Sequence, residues 1–221
     1  MAPPRTFRLF RSLADQDVAR LLRAAARRKL ARGELFVRFG GKVPGICLLV
    51  SGSVVLSLGR GNARRVFRVV GPGESFLEAP TISRDASPFE VRALSAAVVM
   101  TLPKRKIDAA LKRSPRFALD LMSVLAERAM LGMRYLYGTT LSVKARLANH
   151  LCWVARAGDS GSWRVVLPAT KTILAAQLGM KKESLSRALR ALSDAGLIAM
   201  DGRRITILNR AALSRAAVNG A

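Results

Sequence analysis

The chain has 221 residues, 38 Lys and Arg against 14 Asp and Glu, a formal net charge of +24 and a pI of about 11.7, with 50% of its residues hydrophobic. That apolar content offsets chain entropy, which excludes intrinsic disorder, and at roughly 150 residues per domain the length predicts one large or two modest domains. The basic surplus points to a polyanion or an acidic membrane surface, although 29 of the 38 bases are Arg, a bias that genome composition alone also produces.

Two cysteines, Cys47 and Cys152, are too few for a disulfide framework or for a four-ligand zinc or iron–sulfur site, and a reducing cytoplasm is the expected compartment. The basic start, Met1-Ala-Pro-Pro-Arg5 onward, lacks the apolar stretch of about 7–15 residues that a secretory signal needs. The longest uncharged stretch, Val43 to Gly59, has 17 residues and is broken by Pro44, Gly45, Ser51, Gly52 and Ser53, so it reads as two strands around a turn. No membrane partner is expected.

In chain order, Ser12-Leu-Ala-Asp15 has capping-box spacing and predicts a helix from about Leu13 to Arg28. The period then changes to two. Leu35–Val37, Ile46–Val50, Val54–Leu58, Val66–Val70 and Val91–Leu102 are β-rich runs separated by Gly-Gly, Ser-Gly, Gly-Arg-Gly-Asn and Gly-Pro-Gly. They predict an antiparallel β-roll or barrel of about eight strands. Ser114 and Pro115 then open a long helix to about Gly138, broken only by Gly132. Its apolar residues, among them Phe117, Leu121, Met122, Val124, Met130, Met133, Leu136 and Tyr137, cover more than one face, as expected of a dimerisation helix clamped between its own barrel and a second subunit.

Beyond Leu141 follow a helix over Val143–Ala155, a Gly158-Asp-Ser-Gly161 turn, a strand over Trp163–Leu167, two helices around Leu178-Gly-Met180, and two strands joined by Asp201-Gly202, expected as a type I′ hairpin. This is the order of a winged helix-turn-helix. The fold class is therefore α+β: a β-roll sensor domain over 1–113, a dimerisation helix over 114–140 and a winged helix-turn-helix over 141–221.

Thr170 to Ser193 carries the functional signal. Ile173, Leu174 and Leu178, then Leu185, Leu189 and Leu192, give each of two helices an apolar face, with Gly179 at the turn. The opposite face of the second helix holds Lys181, Lys182, Glu183, Ser186, Arg187 and Arg190. Arg suits guanine O6/N7, Glu suits cytosine N4 and Ser serves either role, so Glu183, Ser186 and Arg187 are the candidate base readers in a major groove of double-stranded DNA. Thr170, Lys171, Thr172, Lys182, Arg190, Arg203 and Arg204 are the candidate phosphate contacts. A solvated helix with a Glu183–Arg187 ion pair is the bland alternative.

On these residues the sequence resembles the Crp/Fnr superfamily of bacterial transcription regulators. Leu49-Val-Ser-Gly-Ser-Val-Val55 is similar to its effector-domain hairpin, and Lys182-Glu-Ser-Leu-Ser-Arg187 to its recognition helix. The resemblance spans nearly the whole chain and implies a homodimer that binds inverted repeats of TTGAT-like half-sites and contacts RNA polymerase. A two-fold dimer would read half-sites about one helical turn apart.

The sensor departs from the cyclic-AMP-binding pattern. Ser75-Phe-Leu-Glu-Ala79 and Asp85-Ala-Ser-Pro-Phe89 stand where that branch has Gly-Glu and Arg-Ser/Thr-Ala. Glu78 fits the ribose position, Leu77 replaces the glycine, and Arg84 substitutes for the phosphate-binding arginine only through a loop shift. Glu78, Arg84 and Arg92 are the candidate effector contacts. Phe76-Leu-Glu-Ala79 and Leu178-Gly-Met-Lys-Lys-Glu-Ser-Leu-Ser-Arg-Ala-Leu189 resemble the Dnr/NnrR branch, which implies nitric oxide sensing through haem. The axial-ligand candidates are His150, Cys47 and an Ala2-Pro3 terminus. Another small anionic effector, a cyclic nucleotide, or a non-specific nucleic-acid-binding role are the other readings.

No enzyme is expected. Gly158-Asp-Ser-Gly161 is similar to a serine-protease nucleophile loop, but the single His150 lies eight residues before it without a supporting carboxylate, and His150 and Cys152 diverge by about 200° on a helix.

Overall fold

Strands that alternate or run continuously apolar must bury one face or both. The structure, a computed structural model, describes residues 6–59, 61, 64–157, 162–167 and 170–218. In it β1 (Ala26–Leu30), β8 (Ala97–Leu102), β3 (Ile46–Ser51) and β6 (Ser75–Phe76) form one antiparallel sheet in that order. A second is ordered β2 (Leu35–Val37), β7 (Phe89–Ala93), β4 (Val54–Leu58) and β5 (Arg65–Val70). Cys47, Leu49 and Val99 of the first sheet share a core with Val54, Leu56 and Val91 of the second. Ile46, Leu48 and Leu102 belong to another cluster, with Leu9, Phe10, Ile107 and Phe117. This is why Ile46–Val50 is apolar without alternation: β3 is covered on both faces. The roll turns at Gly52, φ +80°, where a Cβ would stand 2.2 Å from the Ala96 carbonyl oxygen, so only glycine fits.

Four helices accompany the strands: α1 (Asp15–Arg23), α2 (Glu78–Ser83), α3 (Lys104–Arg113) and α4 (Pro115–Thr140). Ser114 caps α4, its Oγ accepting from the Phe117 amide at 3.2 Å. The chain forms two compact units, residues 1–131 and 132–221, and the division falls inside α4. In the second unit come α5 (Val143–Val154), β9 (Arg156–Ala157), β10 (Trp163–Val166), α6 (Lys171–Gln177), α7 (Lys182–Asp194), β11 (Ile198–Asp201), β12 (Arg204–Ile207) and α8 (Arg210–Val218). Its sheet order is β11-β12-β10-β9. Leu147, Leu151, Val165, Leu174, Leu185, Leu189, Ile205 and Leu213 share one core, so this unit has an interior of its own.

Several expectations are corrected. Ser12 does not cap the first helix: Ala14 holds that position without a side-chain bond, and the Ser12 amide and hydroxyl both donate to Asp120, at 2.7 and 2.9 Å. Asp120 is a buried carboxylate on α4, and a buried acceptor outcompetes a local cap. The helix stops at Arg23, because Ala26 to Leu30 is drawn into β1 beside β8. In the hairpin, Asp201 pairs with Arg204, which leaves Gly202-Arg203 as the loop, and only Gly202 has positive φ. That is the type II′ pattern, with glycine at the first central position, in place of type I′. The helices α2, α3 and α8 have no counterpart among the expected elements. The Gly158-Asp-Ser-Gly161 turn and the Ala2-Pro3 terminus lie outside the described residues.

Candidate nucleic-acid interface

Gly179, φ +63°, ends the α6 turn, and α7 begins three residues later. Leu185, Ala188, Leu189 and Leu192 bury one stripe of α7, and helical geometry then turns Lys182, Glu183, Ser186, Arg187 and Arg190 outward, all exposed. Among the described residues the ion pairs within a helix are Arg20–Asp17 and Lys104–Asp108; none joins Glu183 to Arg187. Both side chains are thus available for intermolecular bonds. Lys181 and Lys182 stand at the positive end of the α7 dipole, where only Glu183 offsets them, and the local potential favours an anion.

Thr170 caps α6, its hydroxyl accepting from the Ile173 amide at 3.4 Å, and Lys171 and Thr172 follow it, exposed. Arg204 opens β12 and is exposed. Arg203 is exposed but partly committed: its Nε and Nη2 donate to the Leu167 carbonyl oxygen at 3.0 and 2.7 Å, tying the hairpin loop to the end of β10. The base-reading and phosphate candidates therefore occupy one recognition helix, the preceding helix start and the wing, all in the second unit.

The effector candidates do not form one constellation. Arg92 donates to Glu90 at 3.3 Å and to the Gly33 carbonyl at 2.7 Å, and Arg84 is an exposed residue with φ +65° at the end of α2. Glu78 is buried, accepts from Ser75 Oγ at 2.6 Å and faces Arg128 of α4 at 3.5 Å. Arg128 also donates to the Ser75 carbonyl at 3.3 Å, and its buried Nε has no partner in the structure. Arg68, buried as well, bonds Glu74 at 2.8 Å and the Ser75 carbonyl at 3.4 Å. Burial, with Arg68 nearby, lowers the Arg128 pKa. Sequence reading missed Arg68 and Arg128. Arg128 continues the stripe of Phe117, Leu121 and Val124, so a base at a position periodicity reserves for core was the available signal.

The haem candidates fare poorly. Cys47 is fully buried, its thiol donates to the Gly45 carbonyl at 3.5 Å, and burial pushes its pKa up to about 12. His150 sits on α5 in the other unit, and desolvation lowers its pKa to about 4. Neither fits an axial ligand in the sensor.

Residues 27–114 match the cyclic nucleotide-binding domain family, and residues 145–216 match the Crp-like helix-turn-helix domain. The chain is 25% identical over 203 residues to the "Probable transcriptional regulator flp" of Lacticaseibacillus casei, covering 91% of each protein. Among solved structures it resembles FixK2 of Bradyrhizobium japonicum, with 21% identity, TM-score 0.73 and coverage of 89% of this chain and 99% of that one. It also resembles a CooA variant of Carboxydothermus hydrogenoformans, with 15% identity, TM-score 0.74 and 88% coverage of both.

Proposed function

Because this chain belongs to the Crp/Fnr family of DNA-binding transcription regulators, we propose that it binds a TTGAT-like inverted repeat as a homodimer, with Glu183, Ser186 and Arg187 reading bases and Thr170, Lys171, Thr172, Lys182, Arg190, Arg203 and Arg204 holding phosphates. The observation that carries this reading is the unpaired, exposed set on α7 beside a basic wing. The division of labour is a sensor over 1–113, a dimerisation helix over 114–140 and a reading head over 141–221.

The α4 surface supports the dimer. Leu119, Met122, Ala126, Ala129, Met133 and Leu136 follow the alternating 3,4 spacing of a coiled-coil seam and are exposed, with Leu136 at 67%. An apolar heptad left open to water on one chain is the surface that a second copy covers.

The buried Arg68 and the half-buried Arg128 favour a small anion as the signal. A cyclic nucleotide at this place would have to displace Arg128 from Glu78, since the carboxylate is already engaged. Family membership supports RNA polymerase as a further partner and the cytoplasm as the compartment; among the described residues no helix is long and apolar enough to cross a membrane.

The test is binding of the full chain to a TTGAT-type palindrome and to a random duplex across salt. A preference for the palindrome that persists once the non-specific electrostatic component is screened supports the reading. Equal affinities at every salt concentration would leave only a basic protein that coats DNA.

A further inference from the structure

Among the described residues of the second unit, Arg146 on α5 is a heavily committed side chain. Its Nη1 donates to the carbonyls of Leu178 and Gly179 at 2.9 and 3.4 Å, and its Nη2 donates to those of Thr139 and Leu141 at 2.9–3.3 Å. Its Nε is buried with no partner in the structure. No carboxylate takes part. Instead the guanidinium spans two chain ends: the last turn of α4 with the residue after it, and the turn that separates α6 from the recognition helix. Carbonyls at a helix C-terminus lack intrahelical donors and carry the negative end of the dipole, so one cation satisfies both ends. The side chain lies over two glycines, with Gly138 on one side and Gly179 on the other; a Cβ at either would come within 3.6–3.7 Å of it.

We propose that Arg146 is the positioning residue that fixes the recognition helix relative to the end of α4. Only a planar fork does this, because each arm must hold a different pair of carbonyls at a set separation. A lysine ammonium retains the charge but cannot bridge both ends in one orientation. The apolar core of the unit keeps α7 folded whether or not Arg146 is present. What Arg146 adds is the angle between α7 and the end of α4, and in a dimer joined along that end the angle sets the distance between the two reading heads.

This inference rests on the homodimer reading, and its test separates the two. Full-length protein is titrated against palindromes whose spacer is optimal, one base pair shorter or one base pair longer. Each base pair shifts a half-site by about 3.4 Å and rotates it about the duplex, so a rigid pair of heads discriminates sharply. Arg146→Lys is expected to reduce the ratio of optimal to off-spacer affinity by about fivefold or more, with the thermal midpoint measured alongside. Arg134→Gln is the control: it removes the stacking of Arg134 on Trp153, 4.6 Å away at the same α4–α5 junction, without touching the turn before α7, and is expected to keep the wild-type spacer ratio. A purely structural role predicts that Arg146→Lys lowers affinity for all three spacers equally, which would overturn the proposal. Should Arg146→Lys fold poorly, Arg146→Gln at reduced temperature serves for the same ratio. A wild-type protein that sediments as a monomer on DNA, or shows no spacer preference, would overturn the dimer reading and this inference with it. A dimeric wild type with a sharp preference that Arg146→Lys leaves intact would overturn this inference alone.

Discussion

Replacing Arg187 by alanine isolates base reading from everything else the chain does. The side chain is exposed, no ion pair to Glu183 is lost, and alanine is the better helix former, so the folded protein should keep its stability within about 0.5 kcal/mol. The whole effect then falls on DNA. A bidentate arginine–guanine contact is worth about 1–3 kcal/mol of discrimination, and a two-fold dimer carries two of them, which gives about 2–6 kcal/mol. That corresponds to a loss between about 30-fold and about 10⁴-fold on the palindrome. Random duplex, which sees Arg187 only as one charge per head, should lose less than about tenfold. Fluorescence anisotropy on both duplexes at two salt concentrations, with a thermal melt of the same preparations, reads all three quantities. Equal losses on palindrome and random DNA would refute the assignment of Arg187 to a base, and a lowered melting temperature would refute the claim that it is free of internal contacts.

Three further outcomes follow from the same structure. Leu136→Glu should convert the dimer to a monomer in sedimentation and, by unlinking the heads, cost at least about 10²-fold in palindrome affinity while single half-site binding is kept. Arg128→Met leaves Glu78 a buried carboxylate without its cation and should destabilise the chain by about 2–3 kcal/mol in urea, below the range for a fully buried pair because Arg128 still touches solvent; adding Glu78→Gln should recover most of it. His150 should titrate near 4 by NMR. Its folded value lies below the ordinary 6.5, so the unfolded state binds the extra proton. Stability tied to this group is thus complete above pH 6.5 and is lost as the pH falls toward 4. A titration midpoint above 6 would refute its desolvation.

Period and punctuation carried most of the fold. The strands from Leu35 to Leu102, the long helix after Ser114 and the two helices around Gly179 were legible because their apolar residues recur at the spacing of the element they form. Elements ruled by distant partners were not. Ala26 to Leu30 reads as a charged helix end until β8 supplies its hydrogen bonds, and Ser12 reads as a cap until Asp120, 108 residues away, claims both of its donors. The α3 segment carries five bases in ten residues, which masks the Ile107 and Ala110 stripe that packs it. The candidate base readers Glu183, Ser186 and Arg187 stand out for the opposite reason: they face solvent, opposite the buried stripe of α7.

The same contrast explains why net charge located so little. Residues 1–113 hold 22 bases and 8 acids, a surplus of 14, and residues 114–221 hold 16 bases and 6 acids, a surplus of 10, so the sum favours the sensor half. Arginines of one count do opposite work. Arg68, Arg128 and Arg146 spend their guanidiniums on internal carbonyls and carboxylates, whereas Arg187, Arg190 and Arg204 are exposed. The sequence distinguishes them by phase: Arg128 falls on the buried stripe of its helix, while Arg187 and Arg190 fall opposite Leu185, Leu189 and Leu192. Phase then predicts which assay moves. Arg190→Gln should weaken DNA binding and its salt slope with an unchanged melting temperature, and Arg68→Gln should lower the melting temperature first. An Arg190→Gln protein that melts early but binds normally would break the link between helical phase and role on which the recognition helix was assigned.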